Sequence, residues 1–470
     1  MIERILGHID ENMDASLERW RAFLSIPSVG TDPAHDADTR RAAEWLAGEL
    51  RDIGFEAGVR ETEGQPMVVG HWTPDAATAK AAGERPHLLY YGHYDVQPAD
   101  PLDLWTSPPF DPQIVEGPNG PRMVARGAVD DKGQVMTWLE AFRAWRNVAG
   151  GPPMPVTVFV EGEEESSSVN LEPFMKAHAD ELRADVCVIS DTGMPGVDRP
   201  AVTTMLRGIV YVEVTLQGPT HDLHSGMYGG AVPNPINELT ALLAGLHDAD
   251  RRVTLKGFYD RVADLDPGQI EAWNRTGFDE EAFLASAGLQ QSAGEAGRSV
   301  LERIWSRPTL DINGIWGGYQ GAGSKTVIAS TASAKLSCRL VPDMDPQRVL
   351  ASIERYFEEN CPAGCRVKVS NLGCGGPIRV PTDSAFVQAA MRAAGKVFPN
   401  EAVLIGCGGS IPVAASVRRI LGMESLLLGF GLDDDRVHSP NEKFDLVCFE
   451  RGIKTHARLL DELAAKTEGG

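Results

Sequence analysis

The sequence predicts an α/β protein in which a mostly parallel, helix-covered sheet carries a smaller inserted α+β domain. Towards both ends of the chain, continuous apolar runs alternate with helical patterns, as is typical of parallel strands buried on both faces. In the middle, apolar and polar residues alternate, as in an antiparallel sheet with one solvated face. Because 470 residues suffice for two domains, we expect residues 1–205 and 379–470 to form the large domain and residues 206–378 the inserted one.

The large domain is predicted element by element from its periodicity. Apolar residues at helical spacing predict helices over residues 13–24, 38–53, 131–148 and 449–463. The second of these is expected to end at Gly54. Continuous apolar runs predict buried strands over residues 86–91, 122–125, 156–160, 186–189 and 426–430. The run at 122–125 is the weakest of the five.

The inserted domain has a different pattern. Two half-buried strands and two helices are predicted there, over residues 209–216, 332–340, 234–246 and 346–358. The glycine-rich residues 372–377 are predicted to be the linker that returns the chain to the large domain. The polar stretch 256–307 fits neither pattern and is interpreted as an insertion.

Composition excludes several classes of function. The formal net charge of −22 argues against a nucleic-acid partner, because phosphate binding requires a basic face. No apolar stretch reaches membrane-spanning length, so no membrane partner is expected. The charged N-terminus is unlike a secretory leader, and the seven cysteines lack regular spacing, which suits a reducing compartment. We therefore expect a cytoplasmic protein.

Five short segments end an apolar run with acidic or imidazole side chains. Those side chains are His93, Asp130, Glu164, Glu165, Asp191 and His438. A lone histidine or aspartate after a strand is usually part of a turn or a helix cap, but recurrence at several strand ends favours a shared site. Two imidazoles with several carboxylates can hold two adjacent zinc-like ions and leave a carboxylate for proton transfer. That combination predicts hydrolysis of an amide bond.

Three of these segments contain more than one candidate. Asp95 stands two residues after His93 on an extended segment, so it points the same way and could hold the imidazole. Of Asp130 and Asp131, one could cap the following helix while the other bridges two metals, and the sequence does not choose. In the run 163–165, one glutamate would be a ligand and its neighbour the base for a water molecule.

Two glycine-rich segments suggest nucleotide binding only superficially. In residues 317–326, Ser324 separates Gly323 from Lys325, so the Gly-Lys pair of a phosphate-binding loop is absent. Residues 406–412 are not a dinucleotide fingerprint, although their backbone N–H groups could face a carboxylate. We therefore exclude a nucleotide site.

At these residues the chain resembles the M20 family of metallopeptidases, most closely its carnosinase-like, cytosolic non-specific dipeptidase subgroup. The matching motifs run in family order over nearly the whole chain, at residues 92–98 (GHYDVQP), 126–133 (RGAVDDKG), 161–166 (EGEEES), 222–226 (DLHSG), 338–342 (CRLVP), 408–412 (GGSIP) and 438–443 (HSPNEK). Each motif alone is weak, but the set is highly specific. The resemblance implies a zinc-exopeptidase-like fold whose inserted domain serves as a lid and makes a homodimer.

The resemblance also implies a role for each site residue. Asp130 would bridge two zinc ions, and the remaining ligands would be His93 and Asp191 at one ion and Glu165 and His438 at the other. Asp95 would orient His93, and Glu164 would be the general base and later the proton donor. His224 would reach into the partner's active site and stabilise the oxyanion. The substrate's free carboxylate would be held by Thr326, Arg339 and Ser410.

The function expected from this resemblance is peptide-bond hydrolysis in dipeptides or short peptides with a free C-terminal carboxylate. The enzyme would carry two zinc ions per subunit, with manganese as an alternative metal. N-acyl or N-carbamoyl amino-acid hydrolysis is the alternative activity, and a non-catalytic binding protein is disfavoured because every ligand and the base are present. One departure stands out: the family usually has a non-acidic residue where this chain has Glu163, which adds negative charge beside the site.

Overall fold

The computed structural model describes residues 1–74, 85–265 and 267–465. Within these residues, the strands in chain order are β1 (Glu56–Arg60), β2 (Met67–Trp72), β3 (Leu88–His93), β4 (Gln113–Gly117), β5 (Gly120–Val124), β6 (Val156–Glu161), β7 (Val186–Ile189), β8 (Ala201–Leu206), β9 (Gly208–Gln217), β10 (Leu223–His224), β11 (Thr309–Gly317), β12 (Val327–Ile328), β13 (Thr331–Leu340), β14 (Arg366–Gly375), β15 (Ile378–Arg379), β16 (Val403–Cys407), β17 (Glu424–Leu427) and β18 (Lys443–Asp445).

The α-helices fall into two groups along the chain. Those that belong to the two ends are Ile2–Glu11, Met13–Leu24, Asp36–Ile53, Lys132–Ala149, Leu171–Ala177, Ala179–Leu182, Ala385–Gly395, Pro412–Ser416 and Leu446–Ala464. Those of the middle are Ser225–Tyr228, Pro235–Ala244, Pro267–Asn274, Glu280–Ser286, Val300–Trp305 and Pro346–Glu359. As predicted, Met13–Leu24 is helical, and the helix Asp36–Ile53 ends at Gly54, whose φ of 108° suits glycine. No helix in the described ranges is both long enough and apolar enough to cross a membrane.

A nine-stranded sheet forms the large unit, in the order β1-β2-β6-β3-β7-β17-β8-β15 with β16 paired to β8. The central strands β6, β3, β7 and β17 run parallel, while the β1–β2 and β8–β15 edges are antiparallel. Strands β3, β6 and β7 are buried along their whole length, which explains their continuous apolar sequence. The predicted fold class, a mostly parallel helix-covered sheet with a smaller inserted α+β unit, is confirmed.

The smaller unit is a four-stranded antiparallel sheet in the order β11-β13-β9-β14. Strand β9 follows β8 after one residue, and β14 ends just before β15, so the chain leaves and rejoins the large sheet at neighbouring strands. Burial alternates along β9, and its inward side chains pack in a core of their own against Pro235–Ala244 and Pro346–Glu359.

Four predicted segments differ from the structure. The weak run 122–125 appears as β5, but it pairs with β4 and β18 in a separate three-stranded sheet. The strand predicted over 426–430 appears as β17, which ends at Leu427. Beyond it, Gly429 passes so close to Ser190 that a Cβ at residue 429 would lie 2.1 Å from the carbonyl oxygen of Ser190. Most of the predicted linker 372–377 instead continues β14, past an irregularity in the β14–β9 register between Asn371 and Gly373.

The fourth difference concerns the polar stretch 256–307. It contains the helices Pro267–Asn274, Glu280–Ser286 and Val300–Trp305. They form because a few scattered apolar residues, Trp273 and Leu301 among them, bury together against Met205 of β8. These helices are too short for periodicity to be visible in sequence.

The C-terminal helix Leu446–Ala464 carries a buried histidine that faces the helix Lys132–Ala149. The ring of His456 stacks on Trp138 at a centroid distance of 4.0 Å. Its nitrogens lie 3.0 Å from Thr137 Oγ1 and 3.2 Å from Ser190 Oγ. Burial lowers the pKa of His456 well below its ordinary value of 6.5.

We expect this histidine to make the fold sensitive to acid. Between pH 6.5 and its lower folded pKa, His456 is neutral in the folded chain and protonated in the unfolded chain. As the pH decreases through this range, protonation of His456 in the unfolded chain therefore lowers the free energy of unfolding by about 1.4 kcal/mol per pH unit. Urea unfolding of wild type and His456→Gln at pH 7.5 and 5.5 measures this. The variant should lose about 1.4 kcal/mol less than wild type over that interval, and an equal loss in both proteins would contradict the assignment.

Candidate metal centre

Three strands of the large sheet deliver side chains to one edge. His93 is the last residue of β3, and Asp191 follows β7 by two residues. Glu164 and Glu165 lie in a 3-10 turn just after β6. Because β6, β3 and β7 are parallel neighbours, their carboxyl ends meet and bring these side chains together.

Asp130 arrives from outside this sheet, on the loop after β5. That loop is held by Glu442, whose fully buried carboxylate accepts four hydrogen bonds. The donors are Arg126 Nη1 at 2.8 Å and the backbone N–H groups of Gly127 at 2.9 Å, Val129 at 3.0 Å and Asp130 at 3.1 Å. Glu442 therefore fixes the position of Asp130, a role that no local pattern in the sequence indicates.

His438 lies on a loop that is tied down by Lys443. The Lys443 ammonium donates to Asp434 Oδ1 at 2.8 Å and lies 2.6 Å from Asp435 Oδ1. The backbone N–H of Lys443 also donates to the carbonyl of Asp435 at 3.0 Å. His438 itself has φ of 61°, in the left-handed region, and its side chain is about half exposed.

The predicted ligands form two clusters that share one aspartate. His93, Asp130 and Asp191 make the first, Asp130, Glu165 and His438 make the second, and in each cluster the ligand atoms lie within 4.8 Å of one another. The two oxygens of Asp130 face different imidazoles: Oδ1 lies 3.2 Å from His93 Nε2, and Oδ2 lies 2.9 Å from His438 Nε2. A carboxylate between two ligand groups in this way is suited to bridging two cations.

Asp130 and Asp131 take different positions in the structure. The two are joined by a cis peptide bond, and only Asp130 belongs to the clusters. Asp131 stands at the N-cap of the helix Lys132–Ala149, but its side chain makes no capping hydrogen bond. Instead its Oδ2 accepts from the backbone N–H of His93 at 3.2 Å, and burial raises its pKa well above the ordinary value.

The electrostatics of the clusters fit cations. Burial, aided by the charges of Asp130 and Glu165, raises the pKa of Asp191 to about 7. Hydrogen bonding to Asp130 and Glu165 raises the pKa of His438 to about 10. The crowded negative charges thus raise the pKa values of these groups and favour bound protons when no metal cation is present. Two divalent ions would compensate the same charges, and the imidazole and carboxylate donors are those that zinc and manganese accept.

Asp95 connects the first cluster to the glutamate turn. His93 Nδ1 lies 3.1 Å from the Asp95 carbonyl oxygen and 3.4 Å from its Oδ1. The Asp95 carboxylate also accepts from the backbone N–H groups of Glu164 at 3.2 Å and Glu165 at 3.0 Å. Asp95 therefore positions the imidazole, through its carbonyl and carboxylate oxygens, and the turn that carries Glu164, through its carboxylate.

Glu164 lies beside the clusters without belonging to either. Burial raises its pKa well above the ordinary value, and the negative charges of Asp191, Glu165 and Asp130 add to this effect. A carboxylate with a raised pKa beside a metal centre is suited to accepting and returning a proton.

Glu163 makes structural hydrogen bonds to other loops. Its buried carboxylate accepts from the backbone N–H of Gln65 at 2.9 Å and from Asn170, backbone N–H at 3.1 Å and side-chain amide at 2.9 Å. The extra acid of this chain thus joins two loops by hydrogen bonds.

Two further side chains near the clusters were not predicted. Gln97 Nε2 donates to Glu165 Oε2 at 2.7 Å and fixes that carboxylate. The buried Lys132 ammonium donates to the carbonyls of Phe23 at 3.1 Å and Ile26 at 2.6 Å, and burial lowers its pKa to about 7. Neither role follows a local sequence rule, because both depend on partners far along the chain.

The predicted oxyanion residue His224 and the three predicted carboxylate-binding residues form two separate pairs. Arg339 of β13 donates from Nη1 to Ser410 Oγ at 3.0 Å, which joins the two units of the fold. Exposed His224 and Thr326 lie on or beside the paired strands β10 and β12, and His224 Nδ1 accepts from the backbone N–H of Gly226. In the described part of the chain, neither pair is hydrogen-bonded to the residues of the metal clusters.

Two imidazoles and two further carboxylates around a shared aspartate, at the carboxyl edge of a parallel sheet, define a dinuclear metallohydrolase site. The chain belongs to peptidase family M20/M25/M40, whose profile matches residues 89–462. The family predicted from the sequence motifs is therefore confirmed.

Named relatives and a solved structure match over nearly the whole chain. It is 30% identical over 479 residues to the Cys-Gly metallodipeptidase of Schizosaccharomyces pombe, covering 99% of this chain and 98% of the relative. It is 30% identical over 476 residues to the human Beta-Ala-His dipeptidase, covering 99% and 93%. The structure of the di-peptidase Dug1p from Saccharomyces cerevisiae superposes with a TM-score of 0.84 at 28% identity, over 100% of this chain and 99% of that one.

Proposed function

We propose that this protein is a metal-dependent dipeptidase that hydrolyses dipeptides or short peptides with a free C-terminal carboxylate. The observation that carries the proposal is Asp130, whose two oxygens face the imidazoles of two ligand clusters. Two zinc ions, or manganese in their place, would be held by His93, Asp130 and Asp191 on one side and by Asp130, Glu165 and His438 on the other.

Glu164 carries the proton transfers of this reaction. When bound, the two metals polarise the scissile carbonyl and make water nucleophilic at neutral pH. Glu164 takes the proton of the attacking water and returns it to the leaving amine. Asp95 supports this role by accepting from the backbone N–H of Glu164, which holds the base beside the clusters.

Arg339 and Ser410 are proposed to bind the substrate's carboxylate, together with Thr326. Arg207 lies nearby: burial and the charge of Arg339 lower its pKa to about 10. Two guanidinium groups close together favour an anion between or beside them, and a planar fork pairs well with a carboxylate.

Replacing Arg339 with methionine is expected to raise KM for dipeptides by about 10- to 100-fold, since a hydrogen bond to a charged group contributes roughly 1.5–3 kcal/mol. Dipeptide amides, which lack the carboxylate, should be affected much less. Steady-state kinetics on Ala-Ala and Ala-Ala-amide measure this. Lys335→Met removes a positive charge from the same strand and is the matched control. Equal losses on both substrates in Arg339→Met would contradict the assignment.

The protein is proposed to act as a cytoplasmic homodimer in which residues 206–378 form the lid and the dimer contact. An exposed apolar group on the edge strand β11, including Ile312, Ile315 and Trp316, supports a subunit interface. His224 is exposed within one chain, which suits a residue that stabilises the oxyanion in a second copy's active site. All seven cysteines are free thiols, as suits a reducing cytoplasm.

N-acyl or N-carbamoyl amino-acid hydrolysis is not favoured. The relatives that are about 30% identical over nearly the whole chain are named dipeptidases. The solved amidases of the hydantoinase/carbamoylase family are 16% and 11% identical, which is a likeness of fold alone.

The test is a substrate panel on metal-depleted and metal-loaded protein. Zinc or manganese should restore hydrolysis of dipeptides, with about two metal ions bound per subunit. Acylated and carbamoylated amino acids should be poor substrates. Hydrolysis of these alone, or of no amide after metal loading, would contradict the proposal.

A further inference from the structure

The stretch 256–307 builds one wall of a cavity that opens onto the metal clusters. The cavity has a volume of about 850 Å³, and Asp130 and Asp191 line it. Apolar side chains of the stretch also line it: Phe278, just before the helix Glu280–Ser286, Phe283 of that helix, and Trp305 at the end of the helix Val300–Trp305. A cavity of this size accommodates a ligand as large as a dipeptide.

The apolar wall is a packed structure. The rings of Phe278 and Phe283 lie 5.4 Å apart, and Trp305 meets the buried Trp273 edge-on at 5.0 Å. Trp273 in turn belongs to the cluster that fastens the stretch to Met205 of the large sheet. The wall is therefore positioned by the large unit that also carries the metal ligands.

The charge of the cavity selects one end of a peptide. Besides the metal ligands Asp130 and Asp191, whose charge bound ions would compensate, Asp279 and Asp433 line the cavity, and no lysine or arginine within the described ranges does so. Such a lining attracts an ammonium group and repels a carboxylate. Arg339 and Ser410, which suit the carboxylate, lie outside the lining.

We infer that this cavity binds the N-terminal residue of the dipeptide, with its side chain against Phe278, Phe283 and Trp305. The inference rests on the proposed function and adds a preference for apolar over small side chains at that residue. The C-terminal residue lies towards Arg339 and contributes less to selectivity through its side chain. The stretch 256–307 is thus the selectivity element of the enzyme.

The test compares two peptide series on metal-loaded protein: Ala-Gly, Leu-Gly and Phe-Gly, and Gly-Ala, Gly-Leu and Gly-Phe. Wild type should prefer Leu-Gly and Phe-Gly over Ala-Gly. In Phe283→Ala, the Leu-Gly to Ala-Gly ratio of kcat/KM should fall about 10-fold, as expected for lost apolar contact in a pocket. Phe283 is 39% exposed, so its truncation is compatible with folding.

A second variant adds side-chain volume to the cavity instead of removing it, and it should lower the same ratio. Ala282→Phe places bulk on the exposed, cavity-lining face of the helix Glu280–Ser286 and should reduce kcat/KM most for Phe-Gly, less for Leu-Gly and least for Ala-Gly. Leu289→Ala is the control, since Leu289 is 55% exposed in the same stretch and lies outside the lining. The Gly-first series should keep its ratios within about twofold in all three variants.

The outcomes separate the two proposals. Unchanged Leu-Gly to Ala-Gly ratios in both cavity variants, or a change confined to the Gly-first series, would overturn the inference while leaving a working dipeptidase. Loaded wild type that hydrolyses none of the six peptides would overturn the proposed function, and the inference with it.

Discussion

Glu164→Gln should retain its metal ions and lose nearly all turnover. The amide has the shape of the carboxylate but cannot take a proton from water, so kcat should fall by about 10²- to 10⁴-fold. KM should change little, because Glu164 belongs to neither ligand cluster. Metal content per subunit and steady-state kinetics on one dipeptide measure both effects.

The neighbouring Glu163→Gln is the matched control. It makes the same chemical change one residue away, at a carboxylate that hydrogen-bonds to Gln65 and Asn170. We expect its kcat to stay within about threefold of wild type and its stability to fall by about 1–3 kcal/mol, the cost of weakening buried hydrogen bonds. Near-normal turnover in Glu164→Gln would remove Glu164 from the role of base.

Asp130→Asn should remove metal from both clusters at once. The amide offers one oxygen where the carboxylate offers two, so it cannot serve both sets of ligands. Replacing a partner of a metal ligand costs about 10- to 100-fold in affinity or activity, and a shared ligand should cost more than the upper figure. We expect the bound metal to fall from about two ions to fewer than one after dialysis, as measured by elemental analysis.

Asp131→Asn is the control for that experiment. Burial keeps the pKa of Asp131 well above its ordinary value, so an amide resembles its protonated form. Its oxygen can still accept from the backbone N–H of His93. Metal content in this variant should stay near two per subunit. If Asp131→Asn lost metal and Asp130→Asn kept it, the bridging role would belong to Asp131.

Much of the large sheet could be predicted because its strands are buried on both faces. Continuous apolar runs located β3, β6 and β7, and parallel pairing then required their ends to meet. The stretch 256–307 was not predictable, since its short helices depend on Trp273 and Leu301 burying together across nearly thirty intervening residues. Periodicity cannot detect that kind of contact.

The candidate site also has a part that could be predicted from the sequence and a part that could not. Residues at strand ends, such as His93 and Asp191, could be predicted to converge from their order along the chain. The choice of Asp130 over Asp131 came only from the family resemblance, because the local pattern does not show the contacts with His93 and His438. The role of Glu442 could not be predicted from local pattern either, since its carboxylate accepts from the backbone N–H of Asp130, 312 residues away in sequence.

The four hydrogen bonds of Glu442 have a consequence for how the enzyme handles its ions. They are made within the protein, so the loop that bears Asp130 keeps its shape whether or not a cation is present. A chelator should then yield a folded apoprotein that refills by simple diffusion. Which ion it carries would follow the divalent cations of its surroundings, with no renewed folding required.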